Sequence, residues 1–172
     1  MTSLRGTPAG SPFPKWYGGN RMRGLWLFVH VIGFTLWLGG GIATMVAGVA
    51  AKSFGPPARL GAYRLIGAIQ RMLVGPGAIA VVLSGVVLSA QYMKSGAMPG
   101  WLNLMMGSGI LGAIAAVAIS VPTASRLARL EVDARGELPE SFQALRKRQI
   151  LAASIAGGLA LVAMAAATLV RG

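Results

Sequence analysis

Four stretches without a single Lys, Arg, Asp or Glu dominate this 172-residue chain: 24–51, 72–93, 95–125 and 149–170. A helix needs about 20 apolar residues to cross the hydrocarbon core of a bilayer, and each stretch supplies them. Charged residues make up 12% of the chain and hydrophobic ones 55%, about half the charged share of an ordinary soluble domain. Four acidic residues cannot furnish a polar coat for a soluble fold of this size. The chain therefore reads as an all-α membrane protein. The expected architecture is a four-transmembrane-helix bundle over 24–172, with spans at about 24–51, 72–93, 101–124 and 149–170. A tail over 1–23 is expected to lie on the membrane surface.

The net charge of +12 would suit a nucleic-acid binder if it were spread over one face. Here the Lys and Arg residues flank the apolar runs, which is how membrane proteins carry them, so no nucleic-acid partner is expected. Six of them (Arg5, Lys15, Arg21, Arg23, Lys94 and Arg171) fall on one side of the four spans. The other ten fall in the 52–71 and 126–148 segments. The positive-inside rule then puts both termini on the outer, periplasmic side and the two longer loops in the cytoplasm. The Pro-, Gly- and Ser-containing tail is not read as a signal peptide, because the apolar run behind it is twice the length of an h-region. Trp16, Tyr17 and Trp26 suit the headgroup level. An Arg- and Ala-rich composition fits the cytoplasmic (inner) membrane of a GC-rich bacterium.

Lipid gives helices no hydrophobic reason to associate, so small residues must let their backbones approach. Such residues recur at four-residue spacing: Gly39 and Ala43; Gly85 and Ser89; Ser108, Gly112 and Ala116; Ala152, Ala156 and Ala160. Pro56–Pro57 breaks the chain, and 58–71 then reads as a helical lead-in to the second span. Pro139 and Glu140 look like the first turn of a helix that carries Phe142, Leu145 and Gln149 into the fourth. Pro76, between Gly75 and Gly77, should kink the second span near its cytoplasmic end. Glu131, Asp133, Glu137 and Glu140 alternate with Arg residues and read as a solvated face with exposed ion pairs.

The chemistry that is missing narrows the function. Pumps, ion-coupled transporters and voltage sensors carry ionisable residues inside their spans, and these spans hold no Asp, Glu, Lys or Arg. The absence of Cys excludes disulfides and thiolate sites, and a single His excludes HExxH zinc chemistry. What remains is His30, seven residues into the first span. Helical spacing aligns it with Gly33, Phe34, Trp37, Gly40 and Gly41, a face with room for a flat macrocycle and aromatics to pack on it. At 1.5 Å per residue His30 lies about 10 Å below the outer surface, in the leaflet reached by Met93, Met98, Met105 and Met106. Imidazole with thioether suits haem b or copper. The competing reading is a neutral core His bonded to a carbonyl or Thr of a neighbouring helix.

The pattern His30…Trp37-Leu38-Gly39-Gly40, with four spans and basic loops, resembles the copper-resistance D (CopD) superfamily over about residues 24–170. The interval from His to Trp is also similar to that of HemJ-type protoporphyrinogen oxidases. That likeness implies haem binding through His30. In those enzymes a Lys of a later span also matters; Met105 or a neighbour stands at that place here, and the Pro-Arg that usually follows the Trp-Gly region is absent. The leading expectation is a non-catalytic accessory or structural subunit packed against a larger respiratory or photosynthetic membrane complex. The alternative is a haem- or copper-handling membrane protein. Its cofactor residues would be His30, Gly33, Trp37, Gly40 and Met105, and its metal ligands His30 with Met93, Met98 and Met106.

Overall fold

The computed structural model describes residues 17–94, 96 and 98–169, and the regular elements there are all helices. Helix α1 spans Tyr17–Ala50. After a 3-10 turn, Ala51–Ser53, come α2, Pro56–Ile69, and α3, Gly75–Lys94. Helix α4 covers Gly100–Ile114, α5 Val121–Leu127 and α6 Ser141–Leu169. One π-helical turn, Gln70–Val74, joins α2 to α3, and another, Ala115–Ser120, joins α4 to α5. Four continuous helical rods result, each long and apolar enough to cross a membrane. Helices suit that environment because they satisfy their backbone polar groups internally.

Helix α1 begins at Tyr17, ahead of the boundary at 23 that the charge pattern suggested. The part of the expected tail over 1–16, with Trp16, lies outside the described residues. Pro56 occupies the first helical position of α2, where its missing N–H removes no hydrogen bond. The lead-in expected over 58–71 is thus a helix that starts two residues earlier. Carbonyls of the 3-10 turn and of Phe54 just after it accept from Arg59. Its Nε donates to Ala51 O at 3.0 Å and its Nη2 to Lys52 O at 2.7 Å and Phe54 O at 3.0 Å.

Both π-turns end two residues before a proline, Pro76 and Pro122. A proline inside a helix lacks the N–H for the carbonyl four residues back, and its ring crowds that carbonyl. Widening the preceding turn relieves both conflicts without breaking the rod. In place of the kink expected at Pro76 the helix carries a π-turn and continues, and Pro122 makes a second one beside it.

Packing follows two close seams. Helix α1 lies on α3, where a Cβ placed on Gly77 would stand 2.7 Å from Gly33 O and 2.8 Å from Trp37 N. Helix α4 lies on α6, where a Cβ on Gly112 would meet Leu159 Cβ at 3.1 Å, Ala156 O at 3.2 Å and Trp37 Cη2 at 3.1 Å. The stripes Ser108–Gly112–Ala116 and Ala152–Ala156–Ala160 are buried. The stripe expected in the first span, Gly39 with Ala43, instead faces outward with nothing near Gly39. The buried face of α1 is Gly33, Trp37, Gly40 and Thr44. At the loop end a second core of Ala51, Leu60, Tyr63, Ile66, Leu127 and Phe142 ties α2, α5 and α6 together. The acidic loop holds no ion pair among the described residues. Asp133 Oδ1 accepts from the backbone N–H of Arg135 at 2.9 Å and of Glu137 at 2.8 Å, closing its own turn.

A chain of side-chain hydrogen bonds crosses all four rods at the level of the π-turns. Gln149 Nε2 donates to Ser120 Oγ at 2.9 Å, which donates to Gln70 Oε1 at 3.3 Å. Gln70 Nε2 then donates to Thr44 Oγ1 at 3.3 Å, which donates to Gly41 O at 2.9 Å. All four side chains are buried, and only Gln149 Oε1 meets no donor among the described residues. The two glutamines should therefore respond differently to substitution. Gln70→Leu strips a donor and an acceptor from mid-chain and should lower stability by about 1 kcal/mol, in the range of interhelical bonds in lipid. Gln149→Met removes an unpaired buried carbonyl along with one bond and should be near neutral. Thermal unfolding of both variants in one detergent checks this; a larger loss for Gln149→Met would refute it.

Candidate functional site

In the half of the bundle that holds the start of α1 and the end of α6, the rods part around a cavity of about 430 Å³. All four contribute to its wall: His30, Phe34 and Trp37 from α1, Val81 and Gly85 from α3, Met105, Met106 and Gly109 from α4, and Ala160 and Met164 from α6. The space exists because α1 touches α6 far less than it touches α3. Thr35 and Val31 on α1, and Met164 and Thr168 on α6, are exposed while lining the cavity, so it opens sideways toward lipid.

His30 is anchored through one ring nitrogen. Nδ1 lies 3.1 Å from Val81 O and 2.9 Å from Ser84 Oγ, both on α3. A carbonyl only accepts, and the Ser84 hydroxyl donates to Ala80 O one turn back. Nδ1 therefore carries the proton, and the neutral ring keeps its lone pair on Nε2, which has no hydrogen bond among the described residues. Holding one nitrogen by a backbone carbonyl is how proteins fix the tautomer of a ligating His. Glycine at 85 lets the ring lie close to α3; a Cβ there would stand 3.4 Å from His30 Cε1. The other hydroxyls on the wall are already spent: Thr35 donates to Val31 O and Thr168 to Met164 O, each at 2.9 Å.

Of the residues singled out from sequence, the cavity brings together His30, Trp37, Met105 and Met106. Met93 and Met98 lie on or beside the α3–α4 connection and do not line it. Gly33 and Gly40 leave no room for a macrocycle, contrary to the reading of the His30 face. A Cβ on Gly33 would meet Ala80 Cβ and Gly77 O at 3.0 Å, and one on Gly40 would meet Val74 Cγ2 at 2.8 Å. Gly33 admits α3 and Gly40 the π-turn before it, whereas the open space lies beside Gly85 and Gly109. Sequence reasoning missed Ser84, whose spacing from His30 shows nothing until α3 is laid against α1. It also missed the contribution of α6, a run of Ala residues without chemical signature. Among the described residues no group of three or more His, Cys, Asp or Glu could hold a metal ion.

The chain matches no family model, no curated protein and no solved structure.

Proposed function

We propose that this protein is a non-catalytic binder of an apolar, lipid-borne ligand, held in the cavity with His30 Nε2 as its polar anchor. The observation that carries the reading is the ring of His30, fixed through Nδ1 and left with a free Nε2 on the wall of an apolar cavity. A volume of about 430 Å³ lies within the ~300–1,000 Å³ usual for small-molecule sites. Haem is the ligand class that suits this donor set best. Haem iron accepts imidazole and thioether ligands, so His30 would hold it together with Met105 or Met106, which line the same cavity. Arg23 precedes the outermost wall residue, Leu27, by one helical turn, where an acidic edge of the ligand would need a cation. Copper alone would use the same imidazole and thioethers, but the cavity is far larger than an ion requires. Haem would supply one-electron chemistry, and the protein would supply the His30 imidazole nitrogen, a dry slot and side entry from the bilayer. The likeness of His30…Trp37-Leu38-Gly39-Gly40 to the CopD superfamily and to HemJ-type proteins agrees with this reading.

The test is an oxidised-minus-reduced absorption spectrum of protein purified from its native membrane, repeated after adding haemin in nanodiscs. A stoichiometric haem band is expected, lost in His30→Ala and kept in Thr35→Val. A featureless spectrum in both preparations would end the proposal.

A second reading keeps the accessory-subunit role, in the bacterial cytoplasmic membrane with both termini outside. It draws on α1, the least buried rod, with 17% of its most apolar window inside the bundle and Gly39 and Ala43 turned outward. A partner helix could approach there. Co-purification from native membranes decides it, and a solitary, monodisperse protein would count against it.

A further inference from the structure

A separate hollow of about 50 Å³ lies at the opposite end of the bundle, lined by Lys52, Arg59, Tyr63 and Phe142, with Gln143 and Arg146. Arg59, Tyr63, Phe142 and Arg146 are held in place by the fold. Three bonds to the carbonyls of Ala51, Lys52 and Phe54, just after α1, fix Arg59, and they use Nε and Nη2 but leave Nη1 unspent. Buried Tyr63 stands edge-on against Phe142, with ring centroids 5.2 Å apart. Its Oη accepts from Arg146 Nε at 2.9 Å, so the phenolic proton and both terminal nitrogens of Arg146 stay available. The Lys52 ammonium has no acceptor among the described residues.

Lys52, Arg59, Tyr63 and Arg146 each offer a donor, three of the four carry positive charge, and no carboxylate lines the hollow. Like charges gathered this closely, without acidic relief, call for an anion. The hollow exceeds the ~10–15 Å³ that a single water requires, so a tetrahedral oxyanion fits, while a nucleotide does not. Guanidinium groups pair with such oxyanions through two parallel N–H bonds, and basic pockets between membrane helices hold lipid headgroups in this way. We infer that the hollow between the end of α1 and the start of α6 binds a phosphate group, with Lys52, Arg59, Arg146 and the Tyr63 hydroxyl as its donors.

An anionic phospholipid and free inorganic phosphate present the same chemistry, and titration separates them. The full chain in neutral-detergent micelles is titrated with phosphatidylglycerol, with inorganic phosphate and with phosphate-free diacylglycerol, and the thermal midpoint is read. A saturable rise is expected with phosphatidylglycerol, with phosphate or with both, and whichever saturates names the source. Lys52→Gln and Arg146→Gln should each weaken binding about tenfold, the effect of one charge-assisted hydrogen bond. Tyr63→Phe, which keeps the ring packing, should weaken it severalfold. Arg148→Gln removes an exposed cation of the same helix outside the hollow and should leave the affinity unchanged. The inference is overturned if neither phosphate compound saturates. It also fails if diacylglycerol acts as strongly, or if Arg148→Gln weakens binding as much as Arg146→Gln.

Discussion

Replacing Gly77 with leucine should abolish folded protein, and even Gly77→Ala should lower stability measurably. A methyl group at that position would stand 2.7 Å from the carbonyl oxygen of Gly33 and 2.8 Å from the backbone nitrogen of Trp37. Those atoms belong to the backbone of α1, which can yield only by moving the whole helix away from α3. Overpacking of a tight core costs about 1–3 kcal/mol when side chains can adjust, and more when they cannot. Alanine recovers about 1 kcal/mol of helix propensity, which is too little to offset a clash with backbone. Gly39→Ala is the matched control, because nothing lies within 4 Å of that position. It should be neutral or slightly stabilising. Thermal unfolding of the three variants in one detergent, beside the yield of monodisperse protein, reads the difference. Equal behaviour of Gly77→Ala and Gly39→Ala would refute the close approach of α1 and α3.

Trp37→Ala should be the most damaging truncation in the bundle. The indole is 3% exposed and belongs to the core formed with Val74, Ala78, Ala113, Ala116 and Ala156. Its Cη2 reaches the empty side of Gly112, so one side chain closes the gap among α1, α3, α4 and α6. Large aromatic truncations in soluble cores cost about 3–5 kcal/mol. In lipid the transfer part of that cost shrinks, because the surroundings are as apolar as the core. The lost contacts remain, since the small neighbours Gly112, Ala116 and Ala156 cannot fill the space. A loss near 3 kcal/mol is expected, together with a larger cavity, because Trp37 also forms part of the cavity wall. Trp37→Phe should recover part of the stability. A Trp37→Ala protein as stable as the parent would show that the seam closes without the indole.

Much of the fold was legible because a bilayer imposes a one-dimensional rule. An uncharged run of about 20 residues has few other destinations, so the four spans follow from counting Lys, Arg, Asp and Glu. The lead-in to the second span was readable from Pro56, and the buried stripes of α4 and α6 from their small residues. The same small-residue logic pointed α1 the wrong way. A helix rich in Gly has four-residue spacings on several faces at once, and Gly39–Ala43 and Gly33–Trp37–Gly40 compete within one segment. Nothing local distinguishes the face that meets α3 from the face that meets lipid.

The candidate site shows the same division. That His30 would be the chemically distinctive group followed from its being the one intramembrane residue able to offer a nitrogen lone pair. Which nitrogen is offered depends on Val81 and Ser84, more than fifty positions away along the chain. The position of the cavity depends on the loose meeting of α1 and α6. Likewise Thr44, Gln70, Ser120 and Gln149 are unremarkable alone and become a hydrogen-bonded chain only where the π-turns bring them to one level. Sequence by itself determined what must lie in the membrane, because burial of charge there is prohibitive over any arrangement of the helices. Tertiary structure decided which faces touch and which groups stay free, because these depend on sub-ångström fit between segments that are remote in the chain.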